Sequence, residues 1–420
     1  MNFLLSAGEA SGDTYGAQLA QALAALAPGA TFFGMGGEKM RAAGCELLVH
    51  ANEVAVVGLV EVVKHLPDIR RRFKHLVAEA ARRKPDAAVL IDFPDFNLRL
   101  ARELHRLGIP VFYFVSPQIW AWRTGRVKQI QKYVRKMIVI FPFEQEFYRR
   151  HGVEVSYVGH PLAYAASPQI SRKEFAAQHG LDPAKRWVAL LPGSRRKEVR
   201  LNLPPMVEAA ELLQRKGDFE FVLPVASTLS GEWLRERLEL CTAGWSRPLG
   251  LRKESLDSPA LAAEVKNHQE RDEGTPIRLT DHARLTLMHA RAAVVASGTA
   301  TVEAALSGTP FIVVYRLAPL TWILGRRLVK LSTFAMPNLI AGEKIVPELI
   351  QKDFTAENVV RELAAIIPDG PARNKMQDAL KMVQDRLRDR QDTEPPAIRA
   401  AKEILTGIGK DEKAAPSPQL

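Results

Sequence analysis

With 420 residues, the chain is too long for one ordinary hydrophobic core, so two domains are expected. A hydrophobic share of 47% and a charged share of 25% are those of a globular protein with a solvated surface, and no uninterrupted apolar run is long enough to cross a bilayer. The net charge of +11 attracts polyanions (nucleic acid, an anionic leaflet or phosphorylated substrates), but no zinc spacing, RNA-binding signature or lysine-rich tail favours nucleic acid.

The segment from Met1 to Gly8 lacks the basic start and the length of a signal peptide. Asn2–Ser6 reads as a short strand that feeds Gly8-Glu-Ala-Ser-Gly12-Asp-Thr14 and then a helix over Tyr15–Leu26. Strands follow at Thr31–Gly34, Ala87–Asp92, Pro110–Val115 and Lys136–Phe141, with a basic helix over Ile69–Lys84. Strands alternating with helices imply βαβ units and a parallel sheet, whose ligands collect at the C-terminal ends of the strands. After Gly159-His160-Pro161, a polar, proline-punctuated stretch to about Arg186 reads as a linker. The alternation resumes with strands at Trp187–Leu191, Phe219–Val225, Ala292–Ala296 and Phe311–Tyr315. The stretch Gly244–Arg278 is polar and irregular and reads as a surface insertion or extended loop. A charged, proline-containing tail from Lys410 is expected to be disordered. The architecture inferred is two open α/β sheets with a cleft between them. Cys45 and Cys241 form no metal or redox motif and read as two buried thiols of a reducing compartment.

Two turns in the second half point to anion chemistry. Val188-Ala-Leu-Leu-Pro-Gly-Ser-Arg195 and Val294-Val-Ala-Ser-Gly-Thr-Ala-Thr301-Val-Glu303 each run from an apolar strand through a Gly/Ser turn into a helix. A helix N-terminus offers unpaired N–H groups and the positive end of the macrodipole. Arg195 would add a guanidinium that forks onto two phosphate oxygens, unless a salt bridge to Glu198 occupies it or its neighbour Arg196. Glu303, one turn beyond Thr299, suits either a ribose diol or the helix dipole.

The first half offers carboxylates. Asp92-Phe-Pro-Asp95-Phe-Asn97 lies just past a buried strand. One carboxylate would act as base and the other as helix cap or orienter, with Asp92 the cap or orienter and Phe93 and Phe96 supplying the burial that a useful aspartate base needs. Gly8–Gly12 lacks the G-x-G-x-x-G of dinucleotide loops; it is either a tight turn capped by Ser11 or a place where backbone approaches substrate, with Glu9 and Asp13 near. Trp120 and Trp122 suit a sugar face, an acyl chain or ordinary core packing. His160 is a structural histidine or a ligand contact. Val54–Leu66, with the basic helix after it, and Thr321–Leu331 mix apolar and basic residues as interfacial helices do, which suggests a peripheral membrane enzyme.

With these stretches identified, the chain resembles the lipid-A-disaccharide synthase family of bacterial glycosyltransferases. The resemblance rests on Ala7–Asp13, Ile91–Asn97, Val115–Arg123, Val158-Gly-His160, Leu190–Arg195, Ala296–Ala300, Tyr315-Arg316 and Met336-Pro-Asn-Leu-Ile-Ala-Gly342, in that order. It departs from the family in the longer Gly244–Arg278 region and the tail. The resemblance implies an α/β GT-B fold, with two Rossmann-like domains facing each other: an acceptor and membrane-side domain over 1–165, a UDP-sugar domain over 166–345, and C-terminal helices over 346–409 that cross back or swap between subunits, followed by a disordered tail over 410–420. It implies UDP-2,3-diacylglucosamine as donor and 2,3-diacylglucosamine 1-phosphate as acceptor, at the cytoplasmic face of the inner membrane, with an anionic membrane surface and a second copy of the chain as partners.

Carried over by position, the resemblance makes Asp95 the general base. It puts Gly193, Ser194 and Arg195 on the diphosphate, and Ser297, Gly298, Thr299, Ala300, Thr301 and Glu303 on the nucleotide. Glu9, Ser11, Gly12, His160 and Asn338 are candidate substrate contacts. No cofactor is expected, and no D-x-D sequence indicates a metal. The rivals are another GT-B enzyme acting on a UDP-N-acetylamino sugar, either the transferase of peptidoglycan assembly or a UDP-sugar 2-epimerase, and a non-catalytic basic binding module.

Overall fold

The computed structural model describes residues 1–54, 59–122, 124–166, 169–242, 277–317, 333–388 and 393–412. The chain divides into two compact units. The first comprises Met1–Ala165 and the described residues from Arg386 onward; the second comprises the described residues of 166–385. Thr321–Leu331 and nearly all of Gly244–Arg278 lie outside the described residues, as do Arg123, most of the tail and the side chains of 55–65 in the Val54–Leu66 segment.

The first unit contains the strands β1 (Asn2–Ala7), β2 (Thr31–Gly36), β3 (Cys45–His50), β4 (Ala87–Ile91), β5 (Val111–Phe114), β6 (Lys136–Val139) and β7 (Val155–Tyr157). Its helices are α1 (Ala10–Leu26), α2 (Glu38–Ala42), α3 (Leu59–Arg83), α4 (Pro94–Arg106), α5 (Ile119–Trp122), α6 (Val127–Tyr133), α7 (Pro142–Arg150) and α8 (Pro161–Tyr164). All neighbouring strands are parallel, in the order β3-β2-β1-β4-β5-β6-β7. Leu5 pairs with Val89 across the central β1–β4 contact. Because helices cover both faces, the inner strands read as continuous apolar runs; all five residues of β4 are buried. Each fully buried leucine or phenylalanine of this core contributes roughly 1.5–3 kcal/mol, and Phe3, Leu4, Phe112 and Phe114 are among them.

The second unit repeats the plan. It contains α9 (Arg172–His179), β8 (Arg186–Leu191), α10 (Arg196–Gln214), β9 (Phe219–Pro224), α11 (Gly231–Thr242), β10 (Ile277–Thr280), α12 (Ala283–His289), β11 (Ala292–Ala296), α13 (Thr299–Ser307) and β12 (Phe311–Tyr315). It continues with α14 (Met336–Ala341), β13 (Glu348–Ile350), α15 (Ala356–Ile366) and α16 (Pro371–Leu387), whose last residues pass into the first unit. The parallel order is β10-β9-β8-β11-β12-β13. The final helix, α17 (Pro396–Glu412), belongs to the first unit and buries Ala400, Ala401 and Ile404 there.

Several expectations are corrected. Helix α1 starts at Ala10, so Ser11 lies inside it and does not cap it; Glu9 is the N-cap, without a side-chain cap bond. The basic helix starts at Leu59 and carries Pro67 within it. The expected linker contains α8 and α9, and Ile277 and Arg278 of the expected loop start a strand. Cys45 is buried, as expected, while Cys241 is half-buried; burial pushes both thiols up, to about 12 and about 11. Among the described residues, no helix is long and apolar enough to cross a membrane.

Candidate active site

In a doubly wound sheet, ligands bind where the strand order reverses, outside the C-terminal ends of the strands on either side. In the first unit that point lies between β1 and β4, and in the second between β8 and β11. The four turns flanking these points are Gly8–Glu9, Asp92–Phe93, Pro192–Arg195 and Ser297–Gly298. All four were singled out from the sequence.

The turn after β4 is strained. Asp92 and Phe93 take φ of 46° and 48°, and Val115, at the end of the neighbouring β5, takes 62°. Left-handed backbone in non-glycine residues costs of order 1–3 kcal/mol each and persists only where its surroundings enforce it. Here they do. Asp92 N–H donates to the carbonyls of Phe114 and Val115, both at 3.3 Å, and its own carbonyl accepts from Tyr113 Oη at 2.6 Å. Asn97, fully buried, bolts the turn to β1: Oδ1 accepts from Ser6 Oγ at 2.7 Å, while Nδ2 donates to the carbonyls of Ser6, Ile91 and Asp92. Gly8 completes the packing, because a Cβ there would come within 2.3 Å of the Phe93 ring.

Asp95 follows in the first turn of α4. Its side chain is 68% exposed, not sandwiched between Phe93 and Phe96 as expected, and it is ion-paired with Arg126. The N-cap of α4 is Phe93, so Asp92 does not cap the helix. Asp13 is also structural: its buried carboxylate accepts from the amides of Gly37, Lys39 and Met40, capping α2 from α1. Glu9 and Ser11 are half-buried at the start of α1, and Gly12 packs beside Ala7 and Ile91. His160 is buried and caps α8, its Nδ1 accepting from Leu162 N–H at 3.2 Å; burial pushes its pKa down to about 3, so the ring is neutral. That favours the structural reading of His160.

Beside this turn, Ser116 to Trp122 leads away from β5. Trp120 Nε1 donates to Glu144 Oε1 at 3.1 Å, and the indole packs edge-on against Phe143. Ser116 Oγ lies 2.8 Å from Tyr148 Oη. The side chain of Trp122 lies outside the described residues.

In the second unit, Gly193 and Gly298 take φ of 125° and 144°, a region open only to glycine. Both turns feed helix N-termini, and their surroundings differ. At α10, Glu198 folds back, and its Oε2 accepts from the amides of Ser194 and Arg195 at 3.2 and 3.3 Å. Its Oε1 lies 3.5 Å from Arg195 Nη1, so the salt bridge considered from sequence is present. Arg196 lies over the Trp233 ring. At α13, Thr301 Oγ1 caps inward onto the Gly298 carbonyl, and among the described residues nothing accepts from the amides of Thr299 and Ala300. Ser297 is half-buried, Gly298 and Thr299 are exposed, and burial pushes the Glu303 carboxyl up against the opposing pull of Arg284.

Asn338 is fully buried and makes four bonds within the fold: Nδ2 donates to Val346 O and Glu348 Oε1, and Oδ1 accepts from the amides of Ile345 and Val346. Glu348 also accepts from the amides of Phe334 and Ala335. Asn338 therefore fixes the loop before β13. Sequence reasoning missed Arg126, Glu144 and Asn202. Asn202, in α10, donates to Pro192 O at 2.9 Å and accepts from Arg316 N–H at 3.1 Å. An asparagine inside a helix, a few residues past a strand-end turn, is the signal that Asn97 and Asn202 share.

Two parallel doubly wound sheets, with their loops developed at the strand ends, define the α/β fold of GT-B glycosyltransferases. It is shared with the calicheamicin glycosyltransferase CalG4 (TM-score 0.56, 15% identity, 97% of this chain and 98% of that one). It is shared also with UDP-GlcNAc 2-epimerase from Neisseria meningitidis (TM-score 0.59, 11% identity, 98% and 100%). Within that class, residues 3–241 and 259–401 match the model of the lipid-A-disaccharide synthetase family. The chain is 51% identical to lipid-A-disaccharide synthase of Koribacter versatilis over 97% of its own length and 98% of that protein's. The chain belongs to the lipid-A-disaccharide synthetase family, glycosyltransferases of lipid A biosynthesis.

Proposed function

We propose that the chain joins UDP-2,3-diacylglucosamine to 2,3-diacylglucosamine 1-phosphate, giving the β-1′,6-linked disaccharide 1-phosphate and UDP. The observation that carries the catalytic assignment is the placement of Asp95. It lies in the first turn of the helix that follows β4 at the switch point, two residues past left-handed Phe93. Strain of this kind clusters at functional sites.

An α-linked donor and a β-linked product call for inversion by one in-line displacement. Asp95 takes the proton from the acceptor 6-hydroxyl as that oxygen attacks the anomeric carbon, and Arg126 orients the carboxylate by their ion pair. Negative charge grows on the departing diphosphate. The amides at the start of α10 and α13, with Arg195, stabilise it by fixed dipoles and a guanidinium. Glu303 accepts from the ribose hydroxyls. Glu9, Ser11 and Gly12 line the acceptor side, where the first unit (1–165 with the last helix) holds the acceptor, and the second unit holds the nucleotide. The basic balance of the chain supports work at an anionic surface, the cytoplasmic face of the inner membrane, and a homodimer is the expected assembly.

The test is transfer by the full chain with acylated and unacylated donors, read as disaccharide 1-phosphate and UDP formed. Product with the acylated pair is expected, and its absence removes the substrate assignment. Asp95→Asn should retain UDP affinity and lose turnover about 10²–10⁴-fold. Near-normal turnover would take the base role from Asp95.

A further inference from the structure

We propose that Glu144 is a positioning residue for the transfer, acting through Trp120 on the segment that leads from β5 to Arg126 and so to Asp95. The inference rests on the reading of Asp95 as the base.

Glu144 lies in the first turn of α7 and is 1% exposed. Its Oε2 accepts from Phe141 N–H at 3.3 Å, an ordinary helix-start contact. A cap of that kind needs one oxygen and does well at the surface, whereas burying a carboxyl group is costly unless each polar atom is bonded. Among the described residues no cation pairs with Glu144. The second oxygen explains its retention: Oε1 receives the Trp120 indole N–H at 3.1 Å. Ser116 is bonded to Tyr148 Oη and to the Pro117 carbonyl, at 2.8 and 3.0 Å.

One buried carboxyl group thus ties Trp120 to the start of α7. The segment begins at left-handed Val115, which holds β5 to β6 through an amide bond to Ile138 O at 3.0 Å. It ends at Arg126, the partner of Asp95. Burial pushes Glu144 up to about 8. Both carboxyl oxygens accept, one from the indole and one from the Phe141 amide. Release of Trp120 would let Arg126, and with it the Asp95 carboxylate, drift. A misplacement of about 1 Å at a reacting group costs up to about a hundredfold in rate.

The experiment compares Trp120→Phe, Glu144→Leu, which removes the acceptor of the indole N–H, and the double variant in the full chain, reading kcat, acceptor KM, UDP Kd and Tm. Each single change should lower kcat about tenfold or more and leave UDP Kd within about twofold. The double variant should be no slower than the slower single, because both remove one contact. Wild-type kcat in Trp120→Phe overturns the proposal, as does a double-variant loss equal to the product of the singles, or a parallel loss of UDP affinity. Should Glu144→Leu not fold, Trp120→Phe alone decides. Loss of turnover in Asp95→Asn with none in Trp120→Phe sinks this inference only. Full turnover in Asp95→Asn sinks the base assignment beneath it.

Discussion

The turn after β4 and the turn after β8 are built on one frame and treat their acid in opposite ways. Each runs from a buried central strand into a helix, and each is bolted by a buried asparagine, Asn97 or Asn202, that bonds the turn and the end of another strand of the same sheet. After β4, the bend is forced through left-handed Asp92 and Phe93, and the acid of the helix start, Asp95, points outward to a cation from another segment. After β8, Gly193 makes the bend without strain, and the acid, Glu198, folds inward onto the turn's own amides. An outward acid is placed to meet a proton. The inward acid occupies the amides that the proposed function assigns to the diphosphate.

The two bolts differ in their number of bonds, and the largest expected effect follows from that. Asn97→Ala should cost about 3 kcal/mol, because it strands Ser6 and the carbonyls at the strained turn, and Asn202→Ala about 1–2 kcal/mol. Denaturant unfolding of both variants checks the order, and equal losses would end the distinction.

Next comes the pH response of the first unit, where Glu144 and His160 are both buried. Glu144 is raised from 4.5 to about 8 by burial, with Asp92 adding to the rise. The folded state therefore holds its proton between those values, and stability falls by about 1.4 kcal/mol per pH unit as pH rises through them. His160 is lowered from 6.5 to about 3 by burial, so stability falls at a similar slope as pH drops from 6.5 to 3. The two slopes cancel between 4.5 and 6.5. Tm should level there and decline on either side, by about 2 kcal/mol in stability by pH 8. Glu144→Gln should remove the alkaline decline and His160→Asn the acid one; unchanged profiles would refute the buried-group account.

Smaller effects sharpen the second turn. Arg195→Ala should raise donor KM about tenfold, the scale of one charge-assisted hydrogen bond at a solvated site. Unchanged donor kinetics would remove Arg195 from the diphosphate. Glu198→Gln should tighten UDP about two- to fivefold and leave uridine unaffected, because a neutral amide yields the Ser194 and Arg195 amides more readily than a carboxylate. Weaker UDP binding by calorimetry would instead make Glu198 an organiser of Arg195.

How much of this was legible in the sequence depended on burial. The inner strands, buried on both faces, were found from their apolar runs. The four that escaped, Cys45–His50, Val155–Tyr157, Ile277–Thr280 and Glu348–Ile350, are the outermost strands of the two sheets. Three of them have only three or four residues, and all four are partly solvated, with polar residues breaking the run. The turns at the switch points were legible because glycine, proline and small polar residues follow an apolar run there. Asp95 was found in this way, but its exposure was not foreseen, because the left-handed Asp92-Phe93 pair aims the helix start and no residue type announces that conformation. Arg126 and Glu144 could not be found from spacing: they meet Asp95 and Trp120 across 31 and 24 residues of sequence.

The last helix has a consequence for how the molecule is made. Gly407 lies so close to Phe112 of β5 that a Cβ would come within 2.6 Å of its ring, and Ala400, Ala401 and Ile404 fill the core beside α1. The first unit therefore lacks part of its core until α17, residues 396–412, has been synthesised. The second unit, which ends at Asp385, is complete in sequence before that helix emerges.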